Sequence, residues 1–199
     1  MKKVTILGTV LSIITGATIF VSCNSNAEAK TTTEFNTNNF TPEQVNHGKY
    51  LVTVMGCDDC HSPKVFGPNG PEPDMTRRFS GHPSEISIPV ADTNQLKSWM
   101  LFAQDLTAYV GPWGTSFSAN LTSDATGIGN WKFDQFKKAL REGKYKGLDG
   151  TRPLMPPMPW QQYRNLSDED MRDIFAFLKS TTPIKNLVPV YIPPATAMK

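Results

Sequence analysis

Cys57-Asp58-Asp59-Cys60-His61 is the stretch that decides how this 199-residue chain is read. Two thiols three residues apart lie on one turn of helix, and an imidazole follows the second at once. A CxxC pair can serve as a redox-active disulfide, a structural disulfide or half a zinc site. A zinc site needs two further ligands, but there is no second cysteine pair, and His47 and His82 are the other histidines. A thioredoxin-like site expects a strand before the motif in a βαβ setting, whereas the residues before Cys57 read as a helix.

That helix announces itself at Thr41-Pro42-Glu43-Gln44. Thr41 can cap, Pro42 suits the first helical position, and Gln44 completes a capping box. Val45, Gly48 or Lys49, Val52 and Met55 then recur at helical spacing, so one apolar face runs into the Cys57 motif. Alanine would be more stable than Gly48 in mid-helix, which points to close approach of a partner helix there. His47 reads as a solvated helix residue. Near the other end, Ser167-Asp168-Glu169-Asp170 caps a helix whose Met171, Ile174, Phe175 and Leu178 form a second stripe, closed by Pro183.

Beside a disulfide, which stays open as the alternative, Cys57-x-x-Cys60-His61 is the CxxCH pattern of c-type haem attachment. Its thiols can add across the two vinyl groups of one haem while the imidazole reaches the iron from the proximal side. An N-terminal helix ending in this motif and an aromatic-rich C-terminal helix resemble the crossed helices of the cytochrome c fold, over most of residues 41–183. The resemblance implies an all-α domain with long Pro-rich loop insertions, one covalently bound haem c, Cys57 and Cys60 as its attachment points and His61 as an axial ligand.

The second axial ligand is sought among the eight methionines. Met1 falls in the leader, Met55 and Met171 serve helix faces, Met100 sits beside Trp99 in an expected short helix, Met198 is in the tail, and Met75, Met155 and Met158 lie in loops. Arg152-Pro153-Leu154-Met155-Pro156-Pro157-Met158-Pro159-Trp160 resembles the Met-Pro loop before the last helix of the family. Its prolines fix φ and remove donors, so it can hold a sulfur with little entropy left to lose. The resemblance favours Met158, with Met155 as runner-up and otherwise packed on the haem edge. His82 would give a bis-histidine site instead. Gly67-Pro68 resembles the family's Gly-Pro turn, which implies that the Pro68 carbonyl accepts the other ring N–H of His61.

Ninety-six residues separate His61 from Met158, more than a minimal domain of this family needs. The surplus is expected as a Pro-rich stretch from Phe66 to Pro89, a short helix from Gln95 to Phe102, and a helix from about Lys132 to Glu142 with Phe133, Phe136 and Leu140 on one face. The run Ala119 to Asp124, with Thr126-Gly127-Ile128-Gly129 and Trp131, resembles a block of the c-type subunits that accept electrons from periplasmic dehydrogenases. By that resemblance Asn120, Trp131 and Arg152 could reach the haem propionates; a turn Asn, a core Trp and a solvated Arg are the alternatives.

Lys2 and Lys3 precede an apolar run from Val4 to Val21, the layout of an export signal and too short for a comfortable span. Phe20-Val21-Ser22-Cys23 resembles the lipobox of bacterial lipoproteins, which implies lipidation of Cys23 after removal of residues 1–22; a plain secretory signal is the alternative. The three cysteines are then all assigned. Losing Lys2 and Lys3 takes the 20 basic residues to 18 against 18 acidic ones, a balance that argues against nucleic acid or anionic lipid as partner. Residues 23–40 are polar and read as a tether, 41–183 as the domain, and 184–199 as a Pro-rich tail.

The expectation is a one-haem electron carrier, or the electron-transfer subunit of an oxidoreductase, in the periplasm or cell envelope. Its partners would be redox proteins: a dehydrogenase, a quinol complex or a terminal oxidase. A catalytic haem enzyme with an open distal site, peroxidase-like or acting on sulfur compounds, is the rival, and a redox sensor a third reading.

Overall fold

The computed structural model describes residues 40–92 and 94–194. The expected leader and Cys23 lie outside them. Helix α1 (Pro42–Val54) starts as the sequence demands: Thr41 Oγ1 accepts from Gln44 N–H at 3.3 Å, and Gln44 Oε1 accepts from Thr41 N–H at 3.1 Å. Gly56, at φ 68°, breaks the helix, and a short second one, α2 (Cys57–His61), carries the motif. Helix α3 (Phe133–Glu142) buries Phe133, Phe136, Ala139 and Leu140 and ends at Gly143. Helix α4 (Trp160–Tyr163) is a single turn. Helix α5 (Asp168–Lys179) is capped by Ser167, whose Oγ accepts from Asp170 N–H at 2.9 Å, and its three first-turn carboxylates suit the positive end of the helix dipole.

An all-α architecture needs correction. Among the described residues are two small antiparallel sheets, one of β1 (Lys64–Gly67) and β2 (Gly70–Pro73), the other of β3 (Leu101–Phe102), β4 (Ala108–Gly111) and β5 (Gly114–Phe117) in that order. Both hairpins turn on the same four-residue pattern, Gly67-Pro68-Asn69-Gly70 and Gly111-Pro112-Trp113-Gly114, with the two glycines paired across each turn. Pro presets the first loop residue, and the closing glycines take φ of 106° and 103°, a region costly for other residues. The short helix expected from Gln95 to Phe102 is one 3₁₀ turn (Gln95–Lys97) followed by β3, because Leu101 and Phe102 pair with Val110 and Tyr109. Residues 184–194 run back over the domain. Asn186 donates from Nδ2 to Ser80 O at 2.7 Å and to His82 O at 2.9 Å, and Ile192 exchanges backbone bonds with Thr115.

The core forms where α1 and α5 cross. Val52, Met171, Ile174, Phe175 and Leu178 are buried there, and Phe175 meets the rings of Phe40, Phe133 and Phe136. Gly48 makes the crossing close: a Cβ at that position would stand 1.8 Å from Asp173 O and 2.9 Å from Phe177 Cβ. His47 is not simply solvated. Its Nδ1 lies 2.8 Å from Oδ2 of buried Asp173, so the same crossing carries a charged pair.

Two outcomes follow from this crossing. In an open mid-helix site Gly→Ala would stabilise by about 1 kcal/mol. Here the methyl overlaps a backbone carbonyl, so Gly48→Ala should destabilise the protein by about 1–3 kcal/mol in denaturant titration. The hydrogen bond to Asp173, and the nearby charges of Asp173, Asp170 and Glu169, raise the His47 pKa above its ordinary 6.5. A pKa raised on folding means that this contribution is fully present below pH 6.5 and fades as pH climbs through the raised value. His47→Gln should therefore flatten the pH dependence of the urea midpoint between about pH 5 and pH 9.

Candidate haem site

Helix α2 sets both thiols against different parts of the protein. Cys57 packs on the helical core that also receives Met158, Trp131 and Tyr163. Cys60 faces the second sheet, where its thiol is a hydrogen-bonding neighbour of the Tyr109 hydroxyl; burial, then this neighbour, push the Tyr109 pKa up. The two cysteines are unbridged. Burial, with the charge of Asp58 next, pushes the Cys57 thiol up to about 12. A redox-active CxxC needs the opposite, a thiol whose pKa is depressed. Among the described residues no cluster of three or more His, Cys, Asp or Glu could hold a metal ion.

The motif's spacer residues are fixed from outside. Arg78 grips Asp58 through Nε at 2.9 Å and Nη2 at 2.6 Å, a fork that matches a carboxylate. Ser62 Oγ donates to Asp58 at 2.8 Å, and the ammonium of Lys64 donates to the carbonyls of Asp58, Asp59 and Ser62 at the end of α2. Cations are favoured at that end of a helix.

His61 is buried, and its Nδ1 donates to the carbonyl of Ala119 at 2.8 Å. Burial lowers the imidazole pKa, so the ring is neutral, with Nδ1 as donor and the lone pair on Nε2. This corrects the expectation for Pro68, which sits at the tip of the β1–β2 turn. Ala119 reaches the ring because residues 79–82 bond to both sides: Gly81 N–H donates to His61 O at 2.8 Å, His82 N–H to Ser118 O at 3.0 Å, and Leu121 N–H to Phe79 O at 2.8 Å.

Other expected residues are placed as follows. Both ring nitrogens of buried His82 are engaged, with Thr107 Oγ1 at 2.7 Å and Ile86 O at 3.1 Å, so its role is structural. Asn120 is also structural rather than a propionate donor. Its amide donates to Thr126 Oγ1, Ile184 O and Asn186 O, while its oxygen accepts from Thr122 N–H and Oγ1. Arg152 stacks over Tyr145, its guanidinium carbon 3.9 Å from the ring centre, and donates to Pro153 O. Met155 and Met158 are both half-buried, and their segment closes in a turn with Met158 N–H donating to Met155 O at 3.3 Å. Of the two, Met158 packs on the core that Cys57 also touches. Tyr163 O–H donates to Met55 O at 3.2 Å, tying α4 to the residues just before the motif.

Sequence reasoning missed Tyr109, Ser116 and Ala119. The first two stand in the sheet whose Gly-Pro-Trp-Gly turn was a legible signal. For Ala119 none was available, since a backbone carbonyl has no residue signature.

Free thiols one helical turn apart, a neutral imidazole with one nitrogen held and the other open, and a thioether on the same core form a set that fits haem c. The cytochrome c family model matches residues 45–182, and the chain belongs to that family, whose members carry covalently bound haem c in electron transfer. The gluconate 2-dehydrogenase cytochrome c subunit of Pantoea cypripedii is 32% identical over 142 residues, 70% of this chain and 24% of that protein. The fructose dehydrogenase cytochrome subunit of Gluconobacter japonicus is 42% identical over 72 residues, 36% of this chain and 14% of the relative. The cytochrome c subunit of the quinone-dependent alcohol dehydrogenase of Gluconobacter oxydans is 45% identical over 67 residues, 33% of this chain and 13% of the relative. The chain thus spans about a quarter or less of these curated relatives.

Covalent attachment is testable directly. Protein matured in a competent host should keep its pigment in acidified acetone, whereas Cys57→Ala combined with Cys60→Ala should release it or yield colourless protein.

Proposed function

We propose that this chain is a monohaem electron carrier, with Cys57 and Cys60 as thioether anchors and His61 Nε2 and Met158 Sδ as the axial ligands. The observation that carries the reading is the His61–Ala119 bond, which turns the imidazole of a CxxCH motif into a ligand with one defined donor atom. When bound, haem c supplies reversible one-electron chemistry at its iron. The chain's residues do the rest. Ala119 holds the proton on Nδ1, the α1–α5 core excludes water, and the Met-Pro loop presents a thioether that favours the ferrous state. Met155 packs nearby as the alternative ligand. Trp131 and Arg152 are the remaining candidates for the propionates, since Asn120 is committed elsewhere.

The named relatives are cytochrome subunits of sugar-acid, sugar and alcohol dehydrogenases, which supports a dehydrogenase as electron donor to this chain. Quinol complexes and terminal oxidases are the other partner classes that suit such a carrier. We place the protein in the bacterial periplasm or cell envelope, exported by residues 1–22 and held to a membrane by lipid on Cys23. Among the described residues no helix is long and apolar enough to cross a membrane, which is compatible with an anchor of that kind.

Met158→Ala should abolish the long-wavelength sulfur-to-iron absorption of the oxidised protein and lower its reduction potential, while Met155→Ala should leave the band in place. The reverse pattern overturns the assignment. Ready carbon monoxide binding by the reduced wild-type protein would indicate an open distal position and a catalytic site instead.

A further inference from the structure

The Met-Pro loop is poorly equipped to hold itself. Residues 153–159 contain four prolines, which leaves backbone N–H groups on Leu154, Met155 and Met158. Leu154 donates to Gly143 O and Met158 to Met155 O. Proline-fixed φ narrows the loop's conformations, and the Leu154 bond ties its start to the end of α3, but Pro156 and Pro157 have no N–H with which to tie its middle. Something outside the loop must supply the donor.

The second sheet supplies it. Ser116, in the middle of β5, is buried, and its hydroxyl accepts from Trp113 Nε1 at 3.1 Å and donates to Pro156 O at 2.7 Å. The indole N–H can only donate, so the serine proton is left to point at the loop. Trp113 is itself held, because Tyr191 O–H donates to its carbonyl, and Tyr191 lies under the Arg152 guanidinium at 5.1 Å. The chain therefore closes a circuit from sheet to loop to C-terminal segment and back.

We propose that Ser116 is a positioning residue for the haem-binding loop: oriented by Trp113, its hydroxyl pins the Pro156 carbonyl two residues before Met158 and so keeps the sulfur in place. The proposal rests on the reading of Met158 as axial ligand. It assigns a function to the second sheet, which acts as a rigid bracket.

The test uses the oxidised holoprotein and follows the sulfur-to-iron band as pH is raised until the sulfur is displaced. Ser116→Ala removes the donor to the Pro156 carbonyl, a hydrogen bond worth about 1 kcal/mol, and the population with detached sulfur at a given pH should rise about tenfold, moving the midpoint down by about one pH unit. Trp113→Phe keeps the ring and removes the indole donor, and should shift the midpoint in the same direction by less. A fall in the urea unfolding midpoint with an unchanged pH midpoint would show ordinary structural loss and overturn the proposal, as would wild-type behaviour in S116A. Should S116A fail to mature, W113F decides on the same criterion. Failure of the ligand reading is distinguishable: Met158→Ala would then retain the band, whatever S116A does.

Discussion

The imidazole of His61 has two nitrogens, and the carbonyl of Ala119 fixes which one is open. A neutral ring in a buried site needs a partner for its N–H, and an unpaired group there would cost about 1–3 kcal/mol. The 2.8 Å bond meets that need and turns the ring at the same time. Everything around it serves to bring a carbonyl fifty-eight residues away to the motif. Residues 79–82 lie as a strip between the two, bonded to His61 on one side and to Ser118 and Leu121 through the other.

A second constraint comes from the helix crossing. Gly48 lets the backbone of α5 approach so closely that Asp173 O would overlap any side chain at that position. The helix that leads into the motif is thereby set against the helix that carries the aromatic core. Tyr163, reaching back to Met55 from beyond the Met-Pro loop, joins the same frame from the far side. The thiols, the imidazole and the loop are thus referenced to one rigid pair of helices.

Much of this frame is legible in the sequence because it is local. The Thr41–Gln44 box, the Ser167 cap, the stripes on α1, α3 and α5 and the role of Gly48 all follow from residues within a few turns of one another. The motif and the Met-Pro loop are equally readable. The sheets are less so, since β3 has two residues and the hairpins are short, and Gly67-Pro68, which resembles a haem-side turn, is a hairpin tip. Apart from the close approach that Gly48 signals, contacts made over long sequence distances left little trace. The acceptor for His61 is a main-chain oxygen, and the partner of His47 is a buried aspartate 126 residues away on α5.

The bridge between Ile192 and Thr115 has a further consequence. β5 is the last strand of its sheet, and the outer N–H and C=O of Thr115 would otherwise face outward, a template on which another chain could add a strand. Ile192 occupies that rim from within the same polypeptide. The terminal segment thus acts as a built-in selvedge, reserving the border of the bracket for the protein's own backbone and guarding it against strand-to-strand self-association.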